Sequence, residues 1–156
     1  MRVLVTGMSG TGKSTVAAEL RRRGHAAFDA DEDGFTAPGA GGSWAWRVDE
    51  ISELLADVGD GLVFFAGCSD EQARFHWDLR VVLTVPETVL VDRLATRSSN
   101  SYGRGAGELD RVLADRREIE PLLLAAADLV IDTRQPVPAV VAAILDLVDT
   151  AASGAG

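Results

Sequence analysis

Gly7-Met8-Ser9-Gly10-Thr11-Gly12-Lys13-Ser14 decides the fold of this 156-residue chain. It has the form G-x-x-x-x-G-K-[ST], follows directly on the apolar run Val3-Leu4-Val5, and opens a helical pattern at Ser14-Thr15-Val16-Ala17-Ala18. Strand, glycine-rich turn and helix in that order make a phosphate cradle. Glycines let backbone N–H groups converge on phosphate oxygens, the helix N-terminus adds partial positive charge, and a lysine reaches the outer phosphates. Phosphate contacts are therefore assigned to Gly7, Ser9, Gly10, Thr11, Gly12, Lys13, Ser14 and Thr15. Ser14 also offers its hydroxyl to magnesium, and Lys13 neutralises charge on the phosphoryl group that moves.

Composition supports the weight placed on that lysine. Of fifteen basic residues, fourteen are arginine and Lys13 is the sole lysine. A general arginine bias explains the fourteen but not the place of the exception. The formal charge of -9 excludes a nucleic-acid backbone as the main partner, because such binding needs a broad basic surface. No run approaches the roughly 20 apolar residues of a membrane span, and glycines with Lys13 interrupt the N-terminal run too early for a signal peptide. The single cysteine, Cys68, cannot form an internal disulfide, so a cytoplasmic protein is expected. His25 and His76 lack metal-ligand spacing with it, so no zinc site is expected.

Working outward, apolar runs recur at Val3–Val5, Ala26–Phe28, Leu62–Ala66, Val81–Val85 and Leu129–Ile131. Helical patterns fall between them at Lys13–Arg23, Val48–Val58, Pro86–Arg97, Glu108–Ala126 and Val137–Thr150. Short apolar strands alternating with amphipathic helices predict an α/β fold: a five-stranded parallel sheet with helices on both faces, in one domain spanning residues 1–150. Gly34–Ser43 and Ser98–Gly107, rich in glycine and serine, read as mobile loops, and Ala151–Gly156 as a flexible tail.

Phe28-Asp29-Ala30-Asp31 places two carboxylates at the carboxyl end of the second run, the edge that faces ligand in an open α/β sheet. One carboxylate of such a pair can hold magnesium while the other receives a hydroxyl that attacks a γ-phosphate. Glu32 and Asp33 follow at once, and a solvated acidic turn would also explain the run.

With the cradle, the Asp-x-Asp and a loop between helices in place, the chain resembles the shikimate kinase-like group of the nucleoside monophosphate kinase superfamily. The resemblance implies a three-layer P-loop sandwich with strand order 2-3-1-4-5 and a short lid at about residues 98–107. It casts Asp29 as a magnesium ligand and Asp31 as the residue that meets the acceptor hydroxyl. Trp46-Arg47 matches an aromatic-Arg pair whose arginine grips the substrate carboxylate, which makes Arg47 the substrate-anion candidate. Phe65-Ala66-Gly67-Cys68 stands where shikimate kinases carry three consecutive glycines, so only Gly67 carries over, and the bulk on either side points away from shikimate itself. In similar kinases an arginine near Arg93 stacks on adenine, and a lid arginine closes onto the transferring group, which suggests Arg104. Arg97 shares a helix face with Arg93. Arg117, with Arg116 beside it, falls near another phosphate- or substrate-binding arginine, and Asp132-Thr133-Arg134-Gln135-Pro136 resembles the turn against the nucleobase, implicating Arg134 and Pro136.

These features imply an ATP- and magnesium-dependent kinase acting on a small, anionic acceptor, as a monomer or homodimer. A nucleotide-binding regulator or NTPase working through a protein partner is the competing class. No catalytic glutamate follows the third run, where many P-loop ATPases hold their attacking water, and that favours the kinase. Trp44, Trp46 and Trp77 can either line an acceptor pocket or serve the core.

Overall fold

Each apolar run becomes a strand, the three central ones buried almost throughout and the two at the sheet edges, which include the exposed Ala26 and Val130, only in part. The computed structural model describes residues 1–39, 44–96 and 106–154. In chain order the strands are β1 (Arg2–Thr6), β2 (Ala26–Asp29), β3 (Thr36–Pro38), β4 (Trp44–Trp46), β5 (Val63–Ala66), β6 (Leu79–Thr84) and β7 (Leu129–Asp132). The helices are α1 (Lys13–Arg22), α2 (Val48–Asp57), α3 (Glu87–Thr96), α4 (Ala106–Ala125) and α5 (Val137–Gly154), with a 3-10 turn at Asp70–Arg74.

Five strands form one parallel sheet in the order β2-β5-β1-β6-β7. Taken alone these five follow the expected 2-3-1-4-5, and the labels differ because an antiparallel hairpin, β3–β4, intervenes in the chain. Alternate residues of β1 serve opposite layers. Val3 and Val5 pack with Val16, Ala17 and Leu20 of α1 and with Val140, Val141 and Ile144 of α5. Leu4 faces the other way, into a cluster with Ile51 and Leu55 of α2, Phe65, Trp46 and Trp77. A third cluster joins Val82 and Val85 to Leu90 and Leu94 of α3 and to Val112 and Leu123 of α4. Helices therefore cover both faces, and the loops that leave the carboxyl ends of the strands gather along one edge.

Two expectations need correction. Part of Gly34–Ser43 is not loop: Thr36–Pro38 pairs with Trp44–Trp46, with Ala37 opposite Ala45, while residues 40–43 lie outside the described residues. The tail from Ala151 is not irregular as far as Gly154, because α5 runs on to that residue. Helix α5, 18 residues long, is apolar enough to cross a membrane by length and composition, although its Val140, Val141, Ile144 and Val148 are spent on the sheet and α1. Most of the span expected as lid lies outside the described residues, and α4 begins at Ala106, two residues before the predicted start.

Candidate functional site at the carboxyl edge of the sheet

The cradle grows out of β1 through glycines that only glycine satisfies. Gly7, Gly10 and Gly12 have φ of 146°, 86° and 98°. A Cβ on Gly7 would lie 2.4 Å from the Leu83 carbonyl oxygen, and 2.8 Å from the Thr11 hydroxyl. The loop thus closes against β6 by backbone contact that any side chain would block. Gly12 caps α1 in a left-handed conformation with no side-chain bond to the first turn, so those N–H groups face the loop's concavity. Lys13 Nζ donates to the carbonyls of Gly7 at 2.8 Å and Met8 at 3.1 Å, which holds the ammonium over the loop. Ser14 is half-buried and Thr15 exposed at the helix start. An uncapped helix end, backbone packed too closely for a Cβ, and a lysine bent over both fit a nucleotide's phosphates, with Ser14 at hand for magnesium.

A polar brace supports the loop from behind. Thr133, buried just past β7, donates from its hydroxyl to the Thr11 carbonyl at 2.7 Å. Arg93 of α3 donates Nη1 to that same hydroxyl at 2.9 Å and Nη2 to the Thr133 carbonyl at 2.6 Å, with a longer Nη1 contact to the Gly10 carbonyl at 3.4 Å. Arg93 therefore stands beside the cradle, bonded to its backbone and to Thr133, its Nη1 3.9 Å from where a Gly12 Cβ would be. Nothing in the sequence pattern marks Thr133, because a buried threonine after a strand is common. The rest of that turn faces outward: Arg134 is paired with Asp132 at 2.5 Å, and Pro136 is exposed. Arg134 hydrogen bonds hold the Asp132 carboxyl below its ordinary range.

The Asp-x-Asp sits on the same edge, at a measurable place. Asp29 lies opposite Ala66, and Ala66 opposite Val5, two residues before the cradle starts. Two strand spacings put Asp29 about 10 Å from that level of β1. Asp29 is 3 % exposed, and its Oδ1 accepts the N–H groups of Asp31 at 2.9 Å and Glu32 at 3.0 Å. The run is thus an Asx-type turn, and its geometry turns Asp31 outward to solvent while Asp29 stays in. The two carboxylates occupy different environments, which suits different roles.

The acceptor side departs from the expected pattern in detail. Arg47, at the start of α2, gives Nη1 to Glu50 at 2.7 Å and Nε to the Thr36 carbonyl at 3.2 Å, so its guanidinium is turned onto the hairpin. Gly67 is fully enclosed: a Cβ there would meet the Trp46 indole at 2.7 Å and the Ala30 Cβ at 2.9 Å. Trp46 and Trp77 belong to the core at 6 % and 2 % exposure, whereas Trp44 is 68 % exposed on the hairpin. Glu71, in the 3-10 turn, accepts from the Ser69 hydroxyl and from the Trp46 N–H at 3.3 Å. The Ser69 bond is the main reason its carboxyl is held below the ordinary value.

On α4 the exposed residue is Arg117, and its neighbour Arg116 turns inward. Arg116 Nε pairs with Glu120 at 2.8 Å, both side chains 13 % exposed, and Nη2 donates to the Val85 carbonyl at 2.7 Å. Glu120 in turn accepts from Thr84 at 2.9 Å. Among the described residues, Arg116 Nη1 is buried without a hydrogen-bond partner. Such a donor costs about 1–3 kcal/mol and calls for an explanation. Arg97 and Arg104 lie outside the described residues.

This edge and this sheet order define a P-loop α/β protein with the fold of the shikimate and nucleoside monophosphate kinases. The AAA domain family matches residues 3–120, and the chain belongs to it. No curated protein sequence matches the chain. Among solved structures, a shikimate kinase from Acinetobacter baumannii in complex with shikimate superposes with a TM-score of 0.68 at 20% identity, covering 96% of this chain and 93% of that one. A sugar kinase from a Janibacter species gives 0.64 at 23% identity over 95% and 94%. The shikimate kinase of Aquifex aeolicus gives 0.58 at 22% over 99% of each chain. At these identities the likeness is one of fold.

Proposed function

We propose that the chain is an ATP- and magnesium-dependent kinase that moves the γ-phosphoryl group to a hydroxyl or phosphate of a small anionic acceptor. It would work as a single cytoplasmic domain, monomeric or homodimeric. The observation that carries the reading is that the buried Asp29 stands on the same carboxyl edge as the cradle, two strands from β1 and level with Val5. That spacing leaves room for a triphosphate's outer end between them.

In this reading the cradle amides and Lys13 hold the β- and γ-phosphates. Ser14 and Asp29 would hold magnesium, which supplies charge neutralisation when bound. Asp31, turned outward, accepts the acceptor's O–H hydrogen bond and takes its proton as that oxygen bonds to the γ-phosphorus. The bond from phosphorus to the bridging oxygen breaks, and ADP leaves. Arg93 lies against the nucleotide side, with Arg97, Arg134 and Pro136 completing it. The buried, partnerless Arg116 Nη1 supports an anionic ligand oxygen on the acceptor side better than the exposed Arg117 does. Arg47 and Gly67 would flank the acceptor, and Arg104 would close over the transferring group.

The role of Asp31 is tested by Asp31→Ala. Acceptor-stimulated ADP release should fall by about 10²–10⁴, as general-base losses do, while ATP affinity stays unchanged. Unchanged turnover with the true acceptor would remove Asp31 from the chemistry.

A further inference from the structure

The third aspartate of the turn, Asp33, and Arg21 at the far end of α1 form a contact that neither the cradle nor the Asp-x-Asp pattern accounts for. Asp33 Oδ2 accepts the backbone N–H of Asp29 at 2.6 Å and, on the same oxygen, Arg21 Nη2. The Asp33 N–H returns a bond to the Asp29 carbonyl at 2.9 Å, so the two aspartates close the turn reciprocally. Arg21 also gives Nε to the Ala27 carbonyl of β2 at 2.6 Å. Arg21 and Asp33 are 38% and 28% exposed at their side chains, so the pair is only partly screened.

Three consequences follow from the bonding. Asp29 has its N–H fixed by Asp33 and its carboxylate Oδ1 fixed by Asp31 and Glu32, so both ends of the residue are specified. The chain direction after β2, and with it the outward aim of Asp31, depends on the Asp33 carboxylate staying where Arg21 holds it. And Arg21 belongs to the helix whose other end is the cradle, so one rigid element of ten residues spans from the phosphate amides to the Asp-x-Asp turn.

We infer that Asp33 and Arg21 are positioning residues: the pair sets the place of Asp29 and the aim of Asp31 relative to the cradle. The inference rests on the kinase reading for its catalytic consequence and on the turn geometry for its structural one, and the two can be measured apart. A salt bridge at a surface is ordinarily worth little to stability. Loss of the ion pair alone, as in Arg21→Lys, should therefore appear in the site more than in the melting temperature, whereas Asp33→Ala also leaves the Asp29 N–H unpaired and lowers the melting temperature as well.

The experiment compares wild type with Asp33→Ala, Asp33→Asn and Arg21→Lys in the full chain. The first reading is backbone amide hydrogen exchange at Asp29, Asp31 and Glu32. Asp33→Ala should raise exchange at all three by at least tenfold, Asp33→Asn less, because its carbonyl oxygen can still accept the Asp29 N–H, and Arg21→Lys least. The second reading is the affinity of a non-hydrolysable ATP analogue with and without magnesium. Asp33→Ala should keep the magnesium-free affinity and lose at least half of the magnesium-dependent tightening. The third, once an acceptor is found, is kinetic: in Asp33→Ala kcat should fall about tenfold with KM for ATP within twofold, and Arg21→Lys should retain most of the wild-type kcat. Unchanged exchange at Asp29 and Asp31 in a folded Asp33→Ala protein overturns the inference whatever the activity. Raised exchange without any acceptor-stimulated turnover in wild type would leave the clamp standing and sink the kinase reading. If Asp33→Ala does not fold, Asp33→Asn and Arg21→Lys decide by the same readings, with unchanged exchange in both counting against the clamp.

Discussion

The cradle and the part of this edge that the kinase reading gives to the acceptor are built in opposite ways. The cradle is made of backbone: three glycines at positive φ, an uncapped helix end, and one lysine folded over the loop. The acceptor side is made of side chains reaching across the tertiary structure, with Trp46 lying on Gly67, Glu71 under Trp46, and Arg116 tied to Val85 and Glu120. The contrast teaches where specificity resides. Backbone geometry recognises a group common to every nucleotide, whereas side-chain arrangements can change from one protein to the next without disturbing the sheet.

The comparison breaks first at Lys13. Lys13→Ala should lower kcat by about 10²–10³ through lost charge stabilisation, with a smaller change in melting temperature. Two of its bonds go to loop carbonyls, and a large loss of stability would mean that the lysine serves the fold more than the phosphates.

Gly67→Ala sharpens the acceptor half. The added methyl meets the indole of Trp46 and the Ala30 Cβ below 3 Å, and the core must shift at a cost of about 1–3 kcal/mol. Because Ala30 lies between Asp29 and Asp31, acceptor KM should rise while nucleotide affinity holds. Denaturant unfolding beside analogue binding checks both. A loss confined to nucleotide binding would contradict the division of the edge into two halves.

The smallest effect belongs to the outer end of α1, away from both halves. Glu19, hydrogen-bonded to Arg22 and Arg23, has its carboxyl lowered from 4.5 to about 2. A depressed carboxyl contributes stability that is present above its unfolded pKa and lost as pH falls through its folded one. Stability should therefore decline between about pH 4.5 and about pH 2, and Glu19→Gln should flatten that limb slightly. A Glu19→Gln curve identical to wild type would place the acid limb elsewhere, Glu71 and Asp78 being the other lowered groups in the sheet's loops.

How much of this was legible follows from the same contrast. The cradle and the five strands can be read from the chain, because glycine-lysine spacing and short apolar runs are local signals, whereas the strand order is what the resemblance to the shikimate kinase-like group implies. The hairpin could not: its strands are three residues each, too short for alternation to show, and its glycines read as loop. Arg116 and Arg117 illustrate the limit at one residue, since a single step on a helix turns a side chain by about 100° and only packing says which faces in. Arg47 was visible as a cation but its pairing with Glu50 was not. Thr133 and Asp33 lie inside stretches the sequence singles out but carry no individual signal; their importance lies in bonds to Thr11, Arg93, Asp29 and Arg21 that join distant parts of the chain.

The central claim is that this edge transfers phosphoryl groups to a small molecule, and one assay tests it most directly. Purified protein with ATP and magnesium is offered shikimate, gluconate, nucleosides, nucleoside monophosphates and aminocyclitols in turn, following ADP release and the phosphorylated product by phosphorus NMR. The account predicts that one anionic acceptor raises ADP release well above the acceptor-free rate, with product formed one for one. ATP binding with hydrolysis that no acceptor stimulates would contradict it and favour a nucleotide-binding regulator.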